Sequence, residues 1–305
     1  MTVDGHNDEV PFLSFFVGCN KAIDAINSLR LGSRNPEKFS VDQWKRVLSN
    51  GTSAKFAGSS CAQFERESTT TGLHIKEGQN SSNAPHRQAQ VYCFEPLSTT
   101  FAQLARAKLE IGYTNELVLE EAAVSYQPGT IKVPRDIPLG TENQGIDVMK
   151  CEETSSDENK CRQIPIYTLN DYVGSLPHKP QIHFLSVDVE GYDFEVLKGA
   201  DQILSKQVHY LEFEYNRKGA WRRQPLKDAL EYLETQNFQC YWPGRNGHIW
   251  RITGCWMDYY SNRFWSNVAC VNGNIPEAQP LADAMEAKFL ETIEIRGLVY
   301  QRGNT

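Results

Sequence analysis

Basic residues are in the minority in this chain, and long apolar runs are missing from it. Its 305 residues include 31 Lys and Arg against 38 Asp and Glu, a formal net charge of -7 at pH 7. Such a chain has no general attraction for nucleic-acid phosphates, and it shows neither a basic stripe nor a zinc-type Cys/His spacing. We therefore expect no nucleic-acid partner. No run approaches the roughly 18 apolar residues that a membrane span needs, so we expect no transmembrane segment.

A basic region ahead of the first apolar stretch is also missing. Acidic residues precede Val10 to Val17, so this stretch predicts a strand and not a signal peptide. Because the strand begins so close to Met1, we expect any leading helix or targeting peptide to lie upstream of this sequence. The compartment stays open between the cytoplasm and, for a longer chain, the lumen of the secretory pathway.

The eight cysteines follow no regular spacing. Cys19 and Cys93 fall at predicted strand ends, where a buried free thiol acts as a small apolar side chain. Cys151 and Cys161 flank a polar, acidic loop. In an oxidising compartment these two cysteines could form a disulfide. The same holds for a group of cysteines late in the chain, Cys240, Cys255 and Cys270.

Strands and helices alternate along most of the chain. Short apolar runs typical of buried parallel strands are each followed by apolar residues at helical spacing. These runs are Phe12 to Val17, Gln90 to Phe94, Leu117 to Val124, Ile182 to Val187 and Val208 to Tyr215. Phe238 to Tyr241 and Asn267 to Val271 follow without a helical pattern between them. The order predicts an α/β fold with a doubly wound, Rossmann-like sheet of seven strands, the last of them antiparallel.

Residues 1–305 are expected to form a single domain with two long additions. An insertion at about 30–89 is rich in Ser, Thr, Gly and Asn and contains one predicted helix, capped at Ser40. We expect it to leave from the amino-end face of the sheet. A substrate-side loop at about 242–266 contains four of the six tryptophans, Trp242, Trp250, Trp256 and Trp265. Their rings suit either the apolar faces of sugars or a small satellite core.

Ligands of doubly wound sheets lie outside the carboxyl ends of the strands, so residues directly after strands one, two and four should converge. Gly18 lets the backbone approach a ligand, and Asn20 tolerates a strained turn while offering an amide. Glu95 either accepts hydrogen bonds from ribose hydroxyls or is an exposed strand-end carboxylate. The dinucleotide fingerprint G-x-G-x-x-G is absent, because the stretch reads Gly18-Cys-Asn-Lys-Ala-Ile23. This favours a sulfonium nucleoside over a nicotinamide dinucleotide.

Asp188 and Glu190 stand two residues apart at the end of the fourth strand, so they would share a side if the chain stays extended. A carboxylate there would serve as the general base that removes a proton from an acceptor hydroxyl. Alternatively, Asp188 caps the following helix, or the two hold a divalent metal in a nucleotide-sugar glycosyltransferase. Glu212 and Glu214 on the fifth strand are secondary candidates.

Four cations follow the fifth strand beside Trp221. This group would bind an acidic part of an acceptor, such as a phosphate, sulfate or uronate, or would form a solvated loop. Its members are Arg217, Lys218, Arg222 and Arg223.

Five segments together resemble the successive motifs of the FkbM-type methyltransferase family. They are Phe16-Val-Gly-Cys-Asn-Lys-Ala22, Val91-Tyr-Cys-Phe-Glu-Pro96, Ala122-Ala-Val-Ser125, Thr168-Leu-Asn-Asp-Tyr172 and Phe184-Leu-Ser-Val-Asp-Val-Glu-Gly-Tyr-Asp-Phe-Glu-Val-Leu-Lys-Gly-Ala200. The last is the specific one, and the resemblance covers residues 12 to about 215. It implies a class I methyltransferase fold, S-adenosylmethionine as cofactor, and transfer to a hydroxyl oxygen of a small or sugar-like acceptor. It also implies a cofactor-binding role for Ala123 in the third motif, and it implies no metal.

Two positions depart from the family pattern. Phe16 stands where the family usually has an acidic residue that helps hold the amino group of the donor, and Ala22 replaces the second glycine of the turn. We take Ala22 to add only a methyl group. The departures leave open a third reading, in which the chain is a degenerate, non-catalytic binding module.

Overall fold

The structure is a computed structural model that describes residues 11–49, 88–135, 137, 145, 151, 160–177, 179–254, 256–264 and 266–297. Within these ranges the strands are β1 (Phe12–Val17), β2 (Ala89–Phe94), β3 (Leu117–Glu120), β4 (Ala123–Val124), β5 (Gly129–Pro134), β6 (Cys161–Tyr167), β7 (Ile182–Val187), β8 (Val208–Tyr215), β9 (Phe238–Pro243), β10 (Ile249–Arg251) and β11 (Ser266–Asn272). The α-helices are α1 (Ile23–Gly32), α2 (Val41–Ser49), α3 (Ser98–Ile111), α4 (Leu169–Ser175), α5 (Asp193–Lys198), α6 (Asp201–Gln207), α7 (Leu226–Thr235) and α8 (Gln279–Ile295).

The main sheet has eight strands in the order β10-β9-β11-β8-β7-β1-β2-β3. Neighbours from β3 to β8 pair in parallel, whereas β11, β9 and β10 pair antiparallel. The mixed α/β fold and the antiparallel pairing of β9 with β11 are confirmed. The prediction of seven strands is wrong, because the chain returns after β9 through the Asn246-Gly247 turn and adds β10 at the edge. Asn-Gly is a strong hairpin signal that sequence reasoning overlooked.

The stretch predicted as one third strand divides in two. β3 stays in the main sheet, while β4 belongs to a second sheet of order β4-β6-β5. In that sheet β5 and β6 pair antiparallel, and neither strand is among the apolar runs from which strands were predicted. The side chains of β5 are largely exposed, and so the continuous apolar run that marks a buried strand is absent from it.

Helices cover both faces of the main sheet. Buried side chains of α1, α2 and α3 pack with β1, β2 and β3 on one face, and those of α5, α6 and α7 pack with β7 and β8 on the other. α8 covers β9 and β11 through Phe289, Tyr241 and Val271. Within the described residues, no helix has the length and apolar character to cross a membrane.

The insertion between β1 and β2 is described only up to residue 49, and residues 50–87 lie outside the described part. Gly32 lies against the Phe12 ring, so the chain leaves the sheet at the amino end of β1, the side we expected. α2 then packs back onto the domain with Trp44 fully buried. The indole N–H of Trp44 donates to the carbonyl of Lys21, at 2.8 Å, and thereby supports the turn that follows β1.

Among the described cysteines, three disulfides join Cys19 to Cys93, Cys151 to Cys161 and Cys240 to Cys270. The expectation that Cys19 and Cys93 are free thiols is therefore wrong. The N–H groups of Gly18 and Cys19 both donate to the carbonyl of Phe94, at 3.1 and 3.0 Å. These bonds bring the turn after β1 against β2, and the Cα atoms of Cys19 and Cys93 come within 5.5 Å of each other. Cys255 lies outside the described residues.

Candidate functional site

The turn after β1 is held by glycine at its first position. Gly18 has φ +86, and a Cβ atom there would overlap the carbonyl oxygen of Asp188. Only glycine fits such a contact in this conformation. Asn20 is also left-handed, with φ 44. The turn after β1 therefore lies directly against the turn after β7.

Glu95, the residue after β2, is buried and fixes the β1 turn. One carboxylate oxygen accepts from the backbone N–H of Asn20 at 2.8 Å and the other from that of Leu97 at 2.9 Å. The side chain is only 4% exposed, so the alternative of an exposed strand-end carboxylate is wrong. Burial raises the pKa of Glu95 to about 7, although the two N–H donors lower it in part. Each oxygen keeps a second acceptor direction for a ligand, and the ribose role stays a prediction.

Buried polar atoms without a hydrogen-bond partner among the described residues follow each of the first three strands. They are Asn20 Oδ1 after β1, Ser98 Oγ after β2 and Glu121 Oε1 after β3. Buried polar groups are nearly always paired, so these three atoms are candidates for contacts with a ligand. We call the turns after β1, β2 and β3 the donor edge. Sequence reasoning found Asn20 and missed Ser98 and Glu121, which apolar periodicity does not reveal.

Asp188 and Glu214 lie side by side at the carboxyl ends of β7 and β8. The register that pairs Val187 with Phe213 places them one position further along, and their carboxyl groups are hydrogen-bonded to each other. Glu214 is 3% exposed, whereas water reaches Asp188. We call the turns after β7 and β8 the acceptor edge.

The pKa values of both carboxyl groups are raised. Desolvation by the surrounding side chains raises the pKa of Asp188 most, and the charge of Glu190 raises it further. Burial, followed by the charge of Asp188, raises the pKa of Glu214. Two carboxyl groups in direct contact cannot both ionise without cost, so each of them disfavours ionisation of the other. Glu214, which we had ranked as secondary, is therefore part of the site.

Glu190 is engaged differently from Asp188. Its φ of 57 takes the chain out of the extended conformation, and its carboxylate forms an ion pair with Lys218. A Cβ atom on Gly191 would overlap the backbone of Lys218, so the two turns touch backbone to backbone. In an extended chain the carboxylates of Asp188 and Glu190 would lie on the same side. Because the chain turns at Glu190, the two carboxylates have different surroundings.

Asp193 orders the turn between β7 and α5. It is fully buried and accepts from the N–H groups of Val189 at 3.4 Å and Gly191 at 3.2 Å, and from the Trp221 indole at 3.1 Å. Burial and the charge of Asp188 raise the pKa of Asp193 to about 8. The capping interpretation of Asp188 is wrong, because the N-cap residue of α5 is Tyr192 and the turn is ordered by Asp193.

Ala123 belongs to β4, two residues after Glu121. Its methyl group packs with Val133 and Ile164 in the core of the small sheet. The cofactor-binding role of Ala123 stays a prediction, and its backbone is the part left to contact a ligand.

The two departures from the family pattern have distinct structural effects. Phe16 packs edge-on against Phe184, with ring centroids 5.3 Å apart, and so puts an apolar group in the core where an acid was expected. Ala22 has φ 56, a left-handed conformation that costs a non-glycine residue roughly 1–2 kcal/mol. Its effect is thus larger than an added methyl group.

In place of the separate satellite core that was one alternative, the described tryptophans of the substrate-side loop pack against the main core. Trp242, Trp250 and Trp256 are partly buried there, and Trp265 lies outside the described residues. The aromatic rings that face solvent are instead Tyr259 and Phe264, 60% and 74% exposed.

Glu212, the secondary candidate on β8, is engaged within its own strand. Glu212 accepts from the hydroxyl of Tyr210, one step deeper on β8 than Glu214. Among the residues that the structure describes, no group of three or more His, Cys, Asp and Glu side chains is placed to hold a metal ion.

A family model, the methyltransferase FkbM domain, matches residues 71–240. The chain belongs to the FkbM methyltransferase family. The matched range contains Glu95, Asp188 and Glu214. The β1 turn with Gly18 and Asn20 precedes it, so their proposed roles rest on the geometry given above.

Two solved structures show remote similarity. An FkbM methyltransferase from Methylobacillus flagellatus KT is 16% identical over 60% of this chain and 36% of its own, with a TM-score of 0.35. Precorrin-6y C5,15-methyltransferase from Geobacter metallireducens GS-15 is 7% identical over 86% of this chain and 82% of its own, with a TM-score of 0.34. This chain thus spans about a third of the first protein. Likenesses of this degree carry no weight for fold or function. Among curated proteins no match is found.

Proposed function

We propose that this FkbM family member is an S-adenosylmethionine-dependent O-methyltransferase that acts on a hydroxyl of a small or sugar-like acceptor, such as a glycan, a glycolipid or a secondary metabolite. The observation that carries the proposal is the contact between Gly18 and Asp188. It joins an edge with unpaired polar atoms to an edge with a hydrogen-bonded carboxyl pair.

The donor edge fits a nucleoside. Glu95 has acceptor directions left for ribose hydroxyls, and Asn20, Ser98 and Glu121 offer polar atoms that otherwise stay unpaired. Gly18 allows close backbone approach. When bound, S-adenosylmethionine supplies an electrophilic methyl group on a positively charged sulfur.

The acceptor edge fits proton removal. A hydroxyl becomes a good nucleophile as it loses its proton, and a base works best when its pKa lies near the working pH. Asp188 is open to solvent and has a raised pKa, so its carboxylate is the group we assign as base. Glu214 is hydrogen-bonded to Asp188. Glu190 is assigned a positioning role, since its ion pair with Lys218 fixes the turn beside Asp188.

The binding-module alternative has one specific observation in its favour. Phe16 is packed into the core, so β1 brings no acidic group to the amino end of a donor. The glycosyltransferase alternative requires two carboxylates for a metal, and Glu190 is engaged by Lys218.

The deciding experiment is calorimetric titration with S-adenosylmethionine, S-adenosylhomocysteine and uridine diphosphate sugars, followed by mass spectrometry of products from a glycan and glycolipid panel. The proposal expects binding of both adenosyl ligands and a mass gain of one methylene in an acceptor. Binding without transfer to any acceptor supports the binding module. Binding of uridine diphosphate sugars alone, dependent on magnesium or manganese, supports the glycosyltransferase.

A further inference from the structure

A basic and aromatic rim borders the acceptor edge. The guanidinium of Arg217 lies over the exposed ring of Phe264, 4.5 Å from its centroid. An arginine stacked in this way is held in place by the ring while its N–H groups remain free to bind an anion in bidentate fashion.

Two further cations join Arg217. Arg222 donates through Nε to the carbonyl of Arg217 at 3.2 Å, and Arg223 is exposed beside it. Within the described part of the chain, no carboxylate forms an ion pair with any of these three arginines. In a chain of net charge -7, a local cluster of uncompensated cations creates a field that attracts anions to this rim.

The rim is adjacent to the proposed base. Arg217 directly precedes Lys218, whose ammonium group is paired with Glu190. Phe264 approaches from the segment before β11, whose first residue, Ser266, is opposite Tyr215 at the end of β8. Both side chains therefore lie at the carboxyl end of β8, where Glu214 contacts Asp188.

We propose that the acceptor carries an anionic group in addition to the hydroxyl that is methylated, and that Arg217, stacked on Phe264, binds this group. The shared chemistry is a carboxylate, phosphate or sulfate on a hydroxylated molecule. The inference rests on the proposed function, because it specifies the acceptor of that site. The lysine of the same cluster has a different task, since Lys218 is neutralised by Glu190.

Direct binding tests the inference without turnover. The protein saturated with S-adenosylhomocysteine is titrated at low salt with three matched probes, glucose, glucuronate and glucose 6-phosphate, and binding is followed by ligand-observed NMR. The variants are Arg217→Ala, Phe264→Leu and the control Lys206→Ala, which removes one exposed positive charge just before β8, at the opposite edge of the sheet. Melting temperatures establish that each variant is folded.

We expect at least one charged probe to bind about 10-fold more tightly than glucose, and Arg217→Ala to abolish most of that preference. Phe264→Leu should reduce it by less, and Lys206→Ala should leave it unchanged. The comparison of glucuronate with glucose 6-phosphate separates a carboxylate from a phosphate. Equal binding or no binding of all three probes overturns the inference, as does equal loss in Arg217→Ala and Lys206→Ala. Methyl transfer to uncharged acceptors without any charge preference would overturn the inference and leave the proposed function standing.

Discussion

The donor edge and the acceptor edge treat buried charge in opposite ways. At the donor edge Glu95 is satisfied by two backbone N–H groups, while three neighbouring polar atoms have no hydrogen-bond partner among the described residues. At the acceptor edge carboxyl groups crowd together, with Asp188 against Glu214 and Asp193 beneath them, and Lys218 is bound to Glu190. The donor edge thus has described polar atoms without hydrogen-bond partners, and the acceptor edge has several carboxyl groups close together. The first arrangement suits recognition of a ligand, and the second suits the movement of a proton.

The pH dependence of stability should expose this crowding most strongly. The folded-state pKa values of Glu95 and Asp193 are raised to about 7 and about 8, so the folded chain keeps protons that the unfolded chain has released. Stability is therefore complete below the unfolded pKa values and is lost as pH rises through the folded ones. We expect the free energy of unfolding to fall by on the order of 5 kcal/mol between about pH 5 and about pH 9.

Urea denaturation across this range measures the effect. The dependence of the free energy of unfolding on pH should become weaker in both variants than in the parent. The change should be larger in Asp193→Asn than in Glu95→Gln, since the pKa of Asp193 is shifted further. A free energy of unfolding that is constant or rises with pH would contradict the assignment of raised pKa values.

Asp193→Ala should be the most destabilising single change at the acceptor edge. It leaves the N–H groups of Val189 and Gly191 without this acceptor and removes one of the two acceptors of the Trp221 indole, so we expect a loss of about 3–4 kcal/mol in the free energy of unfolding at about pH 6. Asp228→Ala, at an exposed first-turn position of α7, should cost less than about 1 kcal/mol. Equal effects in urea denaturation would show that Asp193 does not hold the turn.

Asp188→Asn should impair methyl transfer without impairing donor binding. Without a carboxylate to accept the proton, turnover should fall by roughly 10²-fold while affinity for S-adenosylhomocysteine stays within a few-fold. Glu212→Gln, one step deeper on β8, is the control and should keep most of the turnover. Near-normal rates in Asp188→Asn at a temperature where it is folded would remove Asp188 from the role of base.

Glu95→Gln should produce the converse result. A neutral amide holds a ribose hydroxyl less strongly and can no longer accept from both backbone N–H groups, so donor affinity should fall about 10-fold and stability by about 1 kcal/mol. Once the donor is saturating, turnover should approach that of the parent. Calorimetric titration with S-adenosylhomocysteine gives the affinity, and an unchanged value would rule out the ribose role.

Ala22→Gly should have the smallest effect. Glycine relieves the left-handed strain but gives up a buried methyl group worth about 0.8 kcal/mol, so the net change should stay within about 1 kcal/mol. Ala22→Val is the informative partner, because a β-branched residue is far less tolerant of φ 56. Melting temperatures of the two variants should differ clearly, and equal values would contradict the strained backbone.

The strands that carry the site could be predicted because each is a short apolar run that ends at a polar residue. β1, β2, β7 and β8 follow this rule, and so do the positions of Gly18 and Asp188 at their ends. β5 and β6 could not be predicted in the same way, because their exposed side chains lack such a run. Local patterns report on residues that are close in sequence, so they do not predict the pairing of distant segments such as β5 and β6.

The distinction between Asp188 and Asp193 shows the same limit. Both are aspartates near the start of α5, and local rules allow either one to order the turn before it. The choice depends on Gly191, which takes φ +98 against the backbone of Lys218, 27 residues further along the chain. The pairing of Glu214 with Asp188 depends likewise on the register between β7 and β8.

The disulfide between Cys19 and Cys93 makes a covalent ring of the segment between them, since these cysteines are 74 residues apart. A protease that cuts once between residues 50 and 87 would open this ring without releasing a fragment. The nicked protein would run as one band without reductant and as two bands with it. Asn20 would belong to one piece and Glu95 to the other. Donor binding by the nicked, oxidised chain would then depend on the hydrogen bond between these two residues, with the Cys19–Cys93 disulfide as the covalent link between the pieces.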